Sequence, residues 1–580
     1  MLQKRFAVLV GLALATSVAA SPSGVVVAGD ARTASQIATE TGFTGLTNLD
    51  PSNIRHVALG GVDQPSRGTV AAPWATIAYA VSRLQPGQTL FIHAGTYNNM
   101  VVTLDGAVDG SSSAPITIMG AIGESKPILV GSPIKAMFTV TKSYWILRDL
   151  TIDMNNQRQA AVLFTTAGAH HSALIGSEVR RSTNGTAIQI EKGAHDIVVR
   201  WNKIHDNYQA QRCDEPVPEG CGTSGTCESS SNLCVGTLNG SVRTCSTHSD
   251  CGSQYFCSYE NICRKRADAH AVGVIGESRD VTVEENTMFD NSGDAIQCQG
   301  PATGGGGTTR PYNITFKNNT AYGTASARGV VENAVDIKDC DQVSVSGGNF
   351  YGFYEPKGES SNQAIVMHFG ANKVLVEDVK IHDSCGGIGT GNSANDQVTN
   401  LVFRRNRFYG LGSGCPKSSG GIVLGKTHEA DIGWNTFHNI TGAGISLAEQ
   451  YTQAGMHVGE VYVFNNIFSN VDYSMGLAWL YAIDIETFHN LHYRSSGAPQ
   501  FRCQFNAVGL EDWHWCGNER GDFNLEYYGT QVGSPLFVTN PEVNDFYTQP
   551  LSPARNSATA YPGKTVCGGA GDIGALESDC

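Results

Sequence analysis

The sequence lacks long apolar runs, basic clusters and a high content of charged residues. Apart from the N-terminal FAVLVGLALA, which is itself too short, no segment approaches about 18 consecutive apolar residues, so we expect no membrane span. Only 16% of the 580 residues are charged, and the net charge is −14. This balance argues against binding to nucleic acid or to anionic membranes. A polyanionic substrate would therefore need a local group of bases or a bound cation.

Strong helix-forming stretches are also scarce, whereas glycine is abundant, with 67 residues. The N-terminus combines Lys4-Arg5, the short apolar run and small residues at Val18 and Ala20, a pattern typical of a secretory signal over residues 1–20. We expect cleavage after about Ala20. The mature protein is then a soluble, secreted or extracellular protein, or a periplasmic or cell-surface one, and we expect a monomer.

Half of the 16 cysteines lie in residues 213–263. They are Cys213, Cys221, Cys227, Cys234, Cys245, Cys251, Cys257 and Cys263. An even number in an exported chain favours disulfide bonds, and the absence of C-x2-C pairs argues against zinc. We predict a disulfide-rich insertion whose pairing and role stay open, attachment or partner contact being the alternatives.

The rest of the chain repeats a unit of 20 to 40 residues between about residues 140 and 470. Each unit has a short alternating strand, a turn that ends in Asn, and a second short strand. The Asn positions are Asn202, Asn286, Asn319, Asn406, Asn435 and Asn466. Such units cannot bury their apolar side chains alone, so a stacked solenoid with an asparagine ladder at the turn is predicted. The variable period argues against a propeller, and a sandwich is the other alternative.

The predicted fold class is therefore all-β, a parallel β-helix with a short helical cap at its N-terminal end. We divide the chain into successive segments. They are the signal 1–20, a lead-in 21–59, a first β-helix part 60–212, the disulfide-rich insertion 213–263, a second β-helix part 264–474, and a C-terminal cap 475–580.

Three stretches of the chain resemble secreted right-handed parallel β-helix proteins of the pectate-lyase-like superfamily. Residues 60–99, with PWATIAYAVSRL followed by TLFIHAGTY, are similar to the capping helix and first strand of these proteins. Residues 115–132 resemble their next coil, and 544–577 their closing segment. The resemblance implies a right-handed β-helix. It does not identify the activity, because this fold hosts lyases, hydrolases, epimerases and binding proteins.

Aligning the second strands on their inward residues places polar side chains in columns on one outward face. One column contains Gln297 and Asp336, and the next contains Gln299, Lys338 and His368. Neighbours in a column lie about 4.8 Å apart, so Lys338 should sit between Gln299 and His368. Asp294 and Glu332 approach from the turns before the strands. These residues form a candidate site, and a solvated polar strand face is the alternative interpretation.

This group of residues suits β-elimination on a uronic-acid polymer. A base removes the proton next to the carboxylate, and Lys338 can be that base if burial and nearby positive charge lower its pKa. His368 would lower that pKa or protonate the leaving oxygen. A Ca²⁺ ion on Glu332, Asp336 and Asp294 would neutralise the substrate carboxylate. Gln297 and Gln299 would bind the sugar.

ENAVDIKDC (332–340), followed by QAIVMHFG (363–370), is also similar to the site of the chondroitinase B and alginate lyase family. The resemblance implies Lys338 as the catalytic lysine, Glu332 and Asp336 as calcium ligands, and His368 as the histidine of an Arg-His-Gly triplet. The arginine position of the triplet is Met367 here, which points inward. Arg328, Lys357 and Lys426 are the candidates to replace that arginine as substrate-binding residues.

The favoured function is therefore a polysaccharide lyase acting on an acidic polysaccharide. A glycoside hydrolase needs two carboxylates about 5–10 Å apart, for which Asp294 with Asp336, or Glu191 with a neighbouring acid, are the candidate pairs. An epimerase shares the proton abstraction and is not separated from a lyase by the sequence. A non-catalytic extracellular protein that binds glycans or other partners is the remaining alternative.

Overall fold

The computed structural model describes most of the chain after residue 50. The described residues are 51–210, 225–228, 233–238, 241–246, 250–251, 255–257, 262–327, 330–354, 363–391, 397–415, 420–447, 458–517, 523–526, 529–537, 546–558 and 572–574. The predicted signal and most of the lead-in lie outside them, as do Arg328 and Lys357.

Three faces of parallel strands wind around one apolar core. The strands of the first face, the lateral sheet, are Ile54–Val57, Thr89–Ile92, Ile116–Gly120, Trp145–Arg148, His170–Ile175, His195–Arg200, Arg279–Glu284, Tyr312–Lys317, Asp341–Ser346, Asn372–Glu377, Val398–Arg404, Thr427–Gly433, Val458–Phe464, Ala482–Phe488 and Phe523–Leu525. Each pairs with its neighbour in parallel, and alternate side chains are fully buried, as expected for a period-two strand on a core.

The second face, the ladder sheet, follows the asparagine turn. Its strands are Thr96–Met100, Ile128–Gly131, Thr151–Gln157, Glu178–Ser182, Lys203–His205, Thr287–Phe289, Thr320–Tyr322, Asn349–Tyr351, Lys380–His382, Arg407–Tyr409, Leu491–Tyr493 and Gln531–Val532. The last residue of many of these strands stacks on the next. The stacked rings are His205, Phe289, Tyr322, Tyr351, His382 and Tyr409, with centroids 4.7–5.1 Å apart.

The third face, the site sheet, contains the second strand of each predicted unit. Its strands are Val102–Thr103, Phe138–Val140, Val162–Thr165, Thr186–Glu191, His270–Ile275, Ile296–Gln299, Val335–Lys338, Gln363–His368, Gly386–Thr390, Gly420–Leu424 and Phe501–Cys503, the last paired with Asn506–Val508. The long strands Thr436–Leu447 and Ile467–Leu477 run through both the ladder sheet and the site sheet. The all-β parallel β-helix is confirmed.

The predicted asparagine ladder is present at the turn between the lateral and ladder sheets. Asn435 Nδ2 donates to Phe403 O and to Asn466 Oδ1, both at 3.0 Å, and its Oδ1 accepts from the Asn406 backbone at 3.0 Å. Two runs share this pattern, and they contain Asn202, Asn286 and Asn319, and then Asn406, Asn435, Asn466 and Asn490. Gly348 and Val379 occupy the equivalent places between the runs.

The ends of the β-helix differ from the predicted boundaries. Strand Ile54–Val57 already pairs with Thr89–Ile92, so the solenoid begins before residue 60. The capping helix is short, Ile77–Val81, with Thr76 Oγ1 accepting from the Tyr79 backbone. At the other end, Ala482–Phe488 continues the lateral sheet beyond residue 474. A second short helix, Leu510–His514, and 3₁₀ turns at Pro51–Asn53, Pro301–Thr303, Ala325–Ala327 and Trp479–Tyr481 complete the described elements. None of the described helices has the length and apolarity to cross a bilayer.

The cysteine-rich insertion forms a small sheet fastened by disulfides, as predicted. Its strands are Gln209–Ala210, Gly225–Glu228, Leu233–Leu238, Ser241–Val242, Tyr255–Cys257 and Cys263–Ala267. Cys245 bonds to Cys257, and Cys251 bonds to Cys263. The sulfur atoms of three of these cysteines lie close enough for a metal, but the disulfide bonds occupy them. Such bonds agree with an oxidising compartment.

The insertions between the ladder and site sheets all leave the solenoid at one edge of the site sheet. The cysteine-rich insertion lies between Lys203–His205 and His270–Ile275, and the segments 323–334, 352–362 and 410–419 leave at the same edge. Loop 300–311 leaves at the opposite edge.

Candidate functional site

The strand register brings the predicted columns together on the site sheet. Gln297 pairs with Asp336, and Lys338 lies between Gln299 and His368. The sequence alignment of the columns omitted two strands, His270–Ile275 and Gly386–Thr390. Neither omission falls between Gln299, Lys338 and His368, so the predicted order of these three residues is confirmed.

Asp336 is the centre of the site. Its Oδ2 lies 2.7 Å from Lys338 Nζ and its Oδ1 lies 2.8 Å from His368 Nε2. Asp336 and His368 are buried, at 3% and 8% exposed, whereas the Lys338 side chain keeps 22% of its surface exposed. One carboxylate is thus held between an ammonium group and an imidazole ring, just beneath the surface of the sheet.

Burial would raise the pKa of Asp336, but the charge of Lys338 and the hydrogen bond from His368 outweigh it and lower this pKa to about 2. Burial likewise opposes the charged form of Lys338, but Asp336 and Asp294 outweigh burial and raise the pKa of the lysine. The expectation of a lysine with a lowered pKa is therefore wrong. Lys338 is a stable ammonium ion here, because its nearest charged neighbours are acids rather than bases.

His368 has a ring nitrogen without a hydrogen-bond partner. An ionised Asp336 can only accept, so the proton between the two groups lies on His368 Nε2. In the neutral imidazole the lone pair is then on Nδ1, which is buried and has no hydrogen-bond partner. The Phe369 ring contacts the His368 ring, with centroids 4.5 Å apart. Asp336 therefore orients the His368 ring through Nε2 and leaves Nδ1 buried and unpartnered.

A second carboxyl group lies beside this triad. Asp294 is fully buried, its Oδ2 lies 3.1 Å from His270 Nδ1 and 3.2 Å from Gln297 Nε2, and its Oδ1 has no partner. Burial, and then the negative charge of Asp336, raise the pKa of Asp294. Two neighbouring carboxyl groups with pKa values pushed apart are typical of a site that uses one as an acid.

The remaining predicted residues are less closely involved. The Gln299 amide donates to Thr303 O at 2.7 Å, and Glu332 acts on Lys338 through its charge. Lys426 follows strand Gly420–Leu424, three strands beyond Val335–Lys338, so its backbone lies roughly 14 Å along the sheet. Arg328 and Lys357 lie outside the described residues and stay predictions.

The acidic residues do not fit the predicted calcium site. Both oxygens of Asp336 are engaged by Lys338 and His368, and Oδ2 of Asp294 by His270 and Gln297. Within the described part of the chain, Glu332, Asp336 and Asp294 do not bring ligand atoms within 4.8 Å of one another. A lysine ammonium occupies the position at which a cation would contact Asp336.

Sequence reasoning missed two residues that support the site. His270 contacts Asp294 from a strand that directly follows the cysteine-rich insertion, and its alternating HAVGVI could have identified it. Arg310 pairs with Asp339 at 2.8 Å and donates to Gly370 O at 2.9 Å, so it holds together the turns that follow Lys338 and His368. Beneath the site, Cys298 is bonded to Cys340.

Replacing Asp336 by Asn should destabilise the protein in a pH-dependent way. Above about pH 4 we expect a loss of roughly 2–3 kcal/mol, because Lys338 and His368 lose their charged acceptor. A depressed pKa stabilises the fold above the ordinary value of 3.8, and this contribution disappears as the pH falls towards about 2. Urea midpoints of wild type and variant should therefore converge in acid. A constant difference would show that Asp336 does not carry this charge.

Comparison with known proteins agrees with the fold. The sequence model described as "Pel9A-like, right handed beta helix region" matches residues 56–225. This match confirms the resemblance to right-handed parallel β-helix proteins. A search of curated proteins gave no significant match.

Solved structures of low similarity were also found. ORF18 of Geobacillus virus E2 is 13% identical over 60% of this chain with a TM-score of 0.39, and the chain spans 55% of its length. Pectate lyase Pel9A is 12% identical over 90% of this chain and 96% of its own, with a TM-score of 0.35. A mannuronic acid specific polysaccharide family 6 lyase from human gut microbiota is 12% identical over 80% of this chain and 88% of its own, with a TM-score of 0.40. These similarities concern the fold alone.

Proposed function

We propose that this protein is an exported polysaccharide lyase that cleaves uronic-acid-containing polymers by β-elimination. The observation that supports this proposal is the buried Asp336 carboxylate between the Lys338 ammonium and the His368 imidazole. Elimination next to a carboxylate needs a positive charge for the substrate acid and a base for the adjacent proton. Lys338 supplies the charge and His368 Nδ1 supplies the base.

The proposed reaction uses only side chains of this chain. Lys338 has three donors, of which Asp336 takes one, so the others bind the substrate carboxylate and stabilise the charge that develops on it. His368 Nδ1 removes the C5 proton, the electrons form the C4–C5 double bond, and the C4–O4 bond breaks. Asp294, whose pKa is raised, gives its proton to the departing O4. Water restores the proton of Asp294 and removes the one on His368.

Access to the base sets a condition on this reaction. His368 Nδ1 and Asp294 Oδ1 are both shielded from solvent, whereas Lys338 is partly exposed. The substrate carboxylate therefore meets Lys338 first. Substrate binding must then move the groups that cover His368 Nδ1 and Asp294 Oδ1 before the C5 proton can be transferred.

The test is ultraviolet absorbance of the unsaturated uronate, which only elimination produces, on pectate, alginate, and chondroitin or dermatan sulfate. The elimination rate of Lys338→Ala should be roughly 100-fold or more below that of wild type, because the substrate carboxylate loses the cation that binds it. Lys317→Ala, an exposed lysine on the lateral sheet, is the matched control and should keep the wild-type rate. An active Lys338→Ala protein would overturn the assigned role.

Each polymer should be assayed with added Ca²⁺ and with a chelator. Because the acids around Lys338 are engaged by other side chains, we expect the same rate in both. A rate that falls in the presence of chelator would instead support the predicted calcium site. Nuclear magnetic resonance of the polymer distinguishes an epimerase, which would invert C5 without a new double bond.

A glycoside hydrolase is the second candidate, and the opposite pKa shifts of Asp294 and Asp336 favour it. In this mechanism Asp294 would be the general acid and Asp336 the nucleophile or base. New reducing ends without ultraviolet absorbance would identify this reaction. The engagement of both Asp336 oxygens by other groups places this candidate second.

A further inference from the structure

A cationic pocket lies at the N-terminal end of the β-helix, away from the candidate site. It has a volume of about 720 Å³, and its polar lining residues include Arg55, His56, Arg67, Arg83, Gln85 and Gln88. Six steps along the lateral sheet separate Ile54–Val57 from Arg279–Glu284, which follows the His270 strand. At about 4.8 Å per step this is roughly 29 Å.

The charge of the pocket is opposite to that of the chain. Three arginines line it and, among the described residues, no acid does, although the net charge of the protein is −14. Arg55 Nη1 donates to the backbone carbonyls of Ser52 and Ile54. Arg83 Nη1 donates to Ser82 Oγ, and the guanidinium carbon of Arg83 lies over the Tyr79 ring. Arg67 Nε is buried with no partner. Three guanidinium groups without a carboxylate in one cavity favour an anionic ligand.

The pocket wall is held in place before any ligand arrives. Trp74 packs beneath Gly68, whose missing Cβ would lie 2.6 Å from the indole ring, and its Nε1 donates to Gln64 O at 3.0 Å. Asp63, the nearby acid of this loop, accepts from the backbone of Ala75 and Thr76 at 2.8 and 3.0 Å. The loop that carries Arg67 is therefore fixed, which lowers the ordering cost of binding.

A hydrogen-bond relay makes the pocket more suitable for a hydroxylated ligand than for a simple anion. His93 Nδ1 lies 2.8 Å from Glu124 Oε1, and His93 Nε2 lies 3.0 Å from His56 Nδ1. Glu124 accepts, so His93 carries its proton on Nδ1 and accepts from His56 Nδ1–H. Nε2 of a neutral His56 is then an acceptor for a hydroxyl group. Burial lowers the pKa of His56 and favours this neutral form.

We propose that this N-terminal pocket binds a carboxylate-bearing sugar of an acidic oligosaccharide. The guanidinium groups bind the carboxylate, and His56, Gln85 and Gln88 bind the hydroxyl groups. The pocket is an additional binding site that holds an acidic polymer at one end of the solenoid. It needs no catalysis at Lys338 and His368.

Isothermal titration with short galacturonate oligomers tests this proposal, with galactose oligomers of the same length as the neutral probe. Arg67→Gln and the double variant Arg55→Gln/Arg83→Gln should each weaken binding by roughly 10-fold or more, because charge-assisted hydrogen bonds are lost. Arg67→Lys, which keeps the charge and loses the fork, should lie between wild type and Arg67→Gln. Arg279→Gln on the lateral sheet is the control and should bind as wild type does.

Three results would overturn the proposal. Galactose oligomers could bind as tightly as galacturonate, or inorganic sulfate could do so, which would make the pocket a general polar or general anion site. The arginine variants could also bind galacturonate like wild type while keeping their thermal midpoints. Sulfated galactose oligomers, which carry sulfate groups and no carboxylate, distinguish a carboxylate site from a sulfate site. The galacturonate titrations are made in the Lys338→Ala background, in which the candidate site has lost the cation proposed to bind a uronate, so the heat reports on the pocket and the test is separate from that of the lyase.

Discussion

His368→Ala is expected to lower the rate of uronate elimination by roughly 100-fold or more, the contribution of a well-placed general base. Asp336 fixes the His368 ring through Nε2 and leaves Nδ1 as the proposed base, so the variant removes the proposed proton acceptor but not the Lys338 charge. We therefore expect kcat to fall while KM changes little. Initial rates from ultraviolet absorbance on the preferred polymer measure both constants.

Two further measurements separate chemistry from folding in this variant. Added imidazole should restore part of the rate of His368→Ala, because a small base can enter the space that the side chain leaves. His428→Ala, on the lateral sheet, is the matched histidine control and should keep the wild-type rate. A His368→Ala protein that is folded and fully active would place the base elsewhere and reject the proposed reaction.

Asn435→Ala is expected to lower the free energy of unfolding by roughly 3 kcal/mol or more, because buried partners lose hydrogen bonds. The side chain donates to Phe403 O and Asn466 Oδ1 and accepts from the Asn406 backbone, and it is fully buried. Its loss leaves polar groups unpaired on both neighbouring coils. Urea midpoints followed by circular dichroism measure the change.

Asn506→Ala is the control for the ladder, because Asn506 is exposed on the strand Asn506–Val508. Its midpoint should equal that of wild type. Equal midpoints for Asn435→Ala and Asn506→Ala would mean that the ladder contributes nothing to stability. A second transition in Asn435→Ala alone would show that neighbouring coils uncouple, as expected when the contacts between repeats are weakened.

Much of the fold follows from local pattern. In the strands, apolar and polar residues alternate, so every second side chain points into the core. The Asn of each unit fits a turn at which its side-chain amide hydrogen-bonds to the neighbouring coils. These two constraints identify the β-helix and also the order of Gln299, Lys338 and His368, because a one-residue slip would turn the apolar side chains outward. The strands His270–Ile275 and Gly386–Thr390 were not recognised in the sequence, because the first follows a long insertion and the second is rich in glycine.

By itself, the sequence determined the solenoid, its asparagine ladder, the disulfide-rich insertion and the column that contains Lys338 and His368. Only the tertiary structure decided that the pKa of Lys338 is raised rather than lowered, and that a ring nitrogen of His368 has no hydrogen-bond partner. The 2.7 Å contact with Asp336 keeps Lys338 charged against the effect of burial, while the same carboxylate engages Nε2 of His368 and leaves Nδ1 without a hydrogen-bond partner. The pocket formed by Arg55, Arg67 and Arg83 also arises only on folding, because a pKa and a binding cavity depend on distances that strand periodicity does not specify.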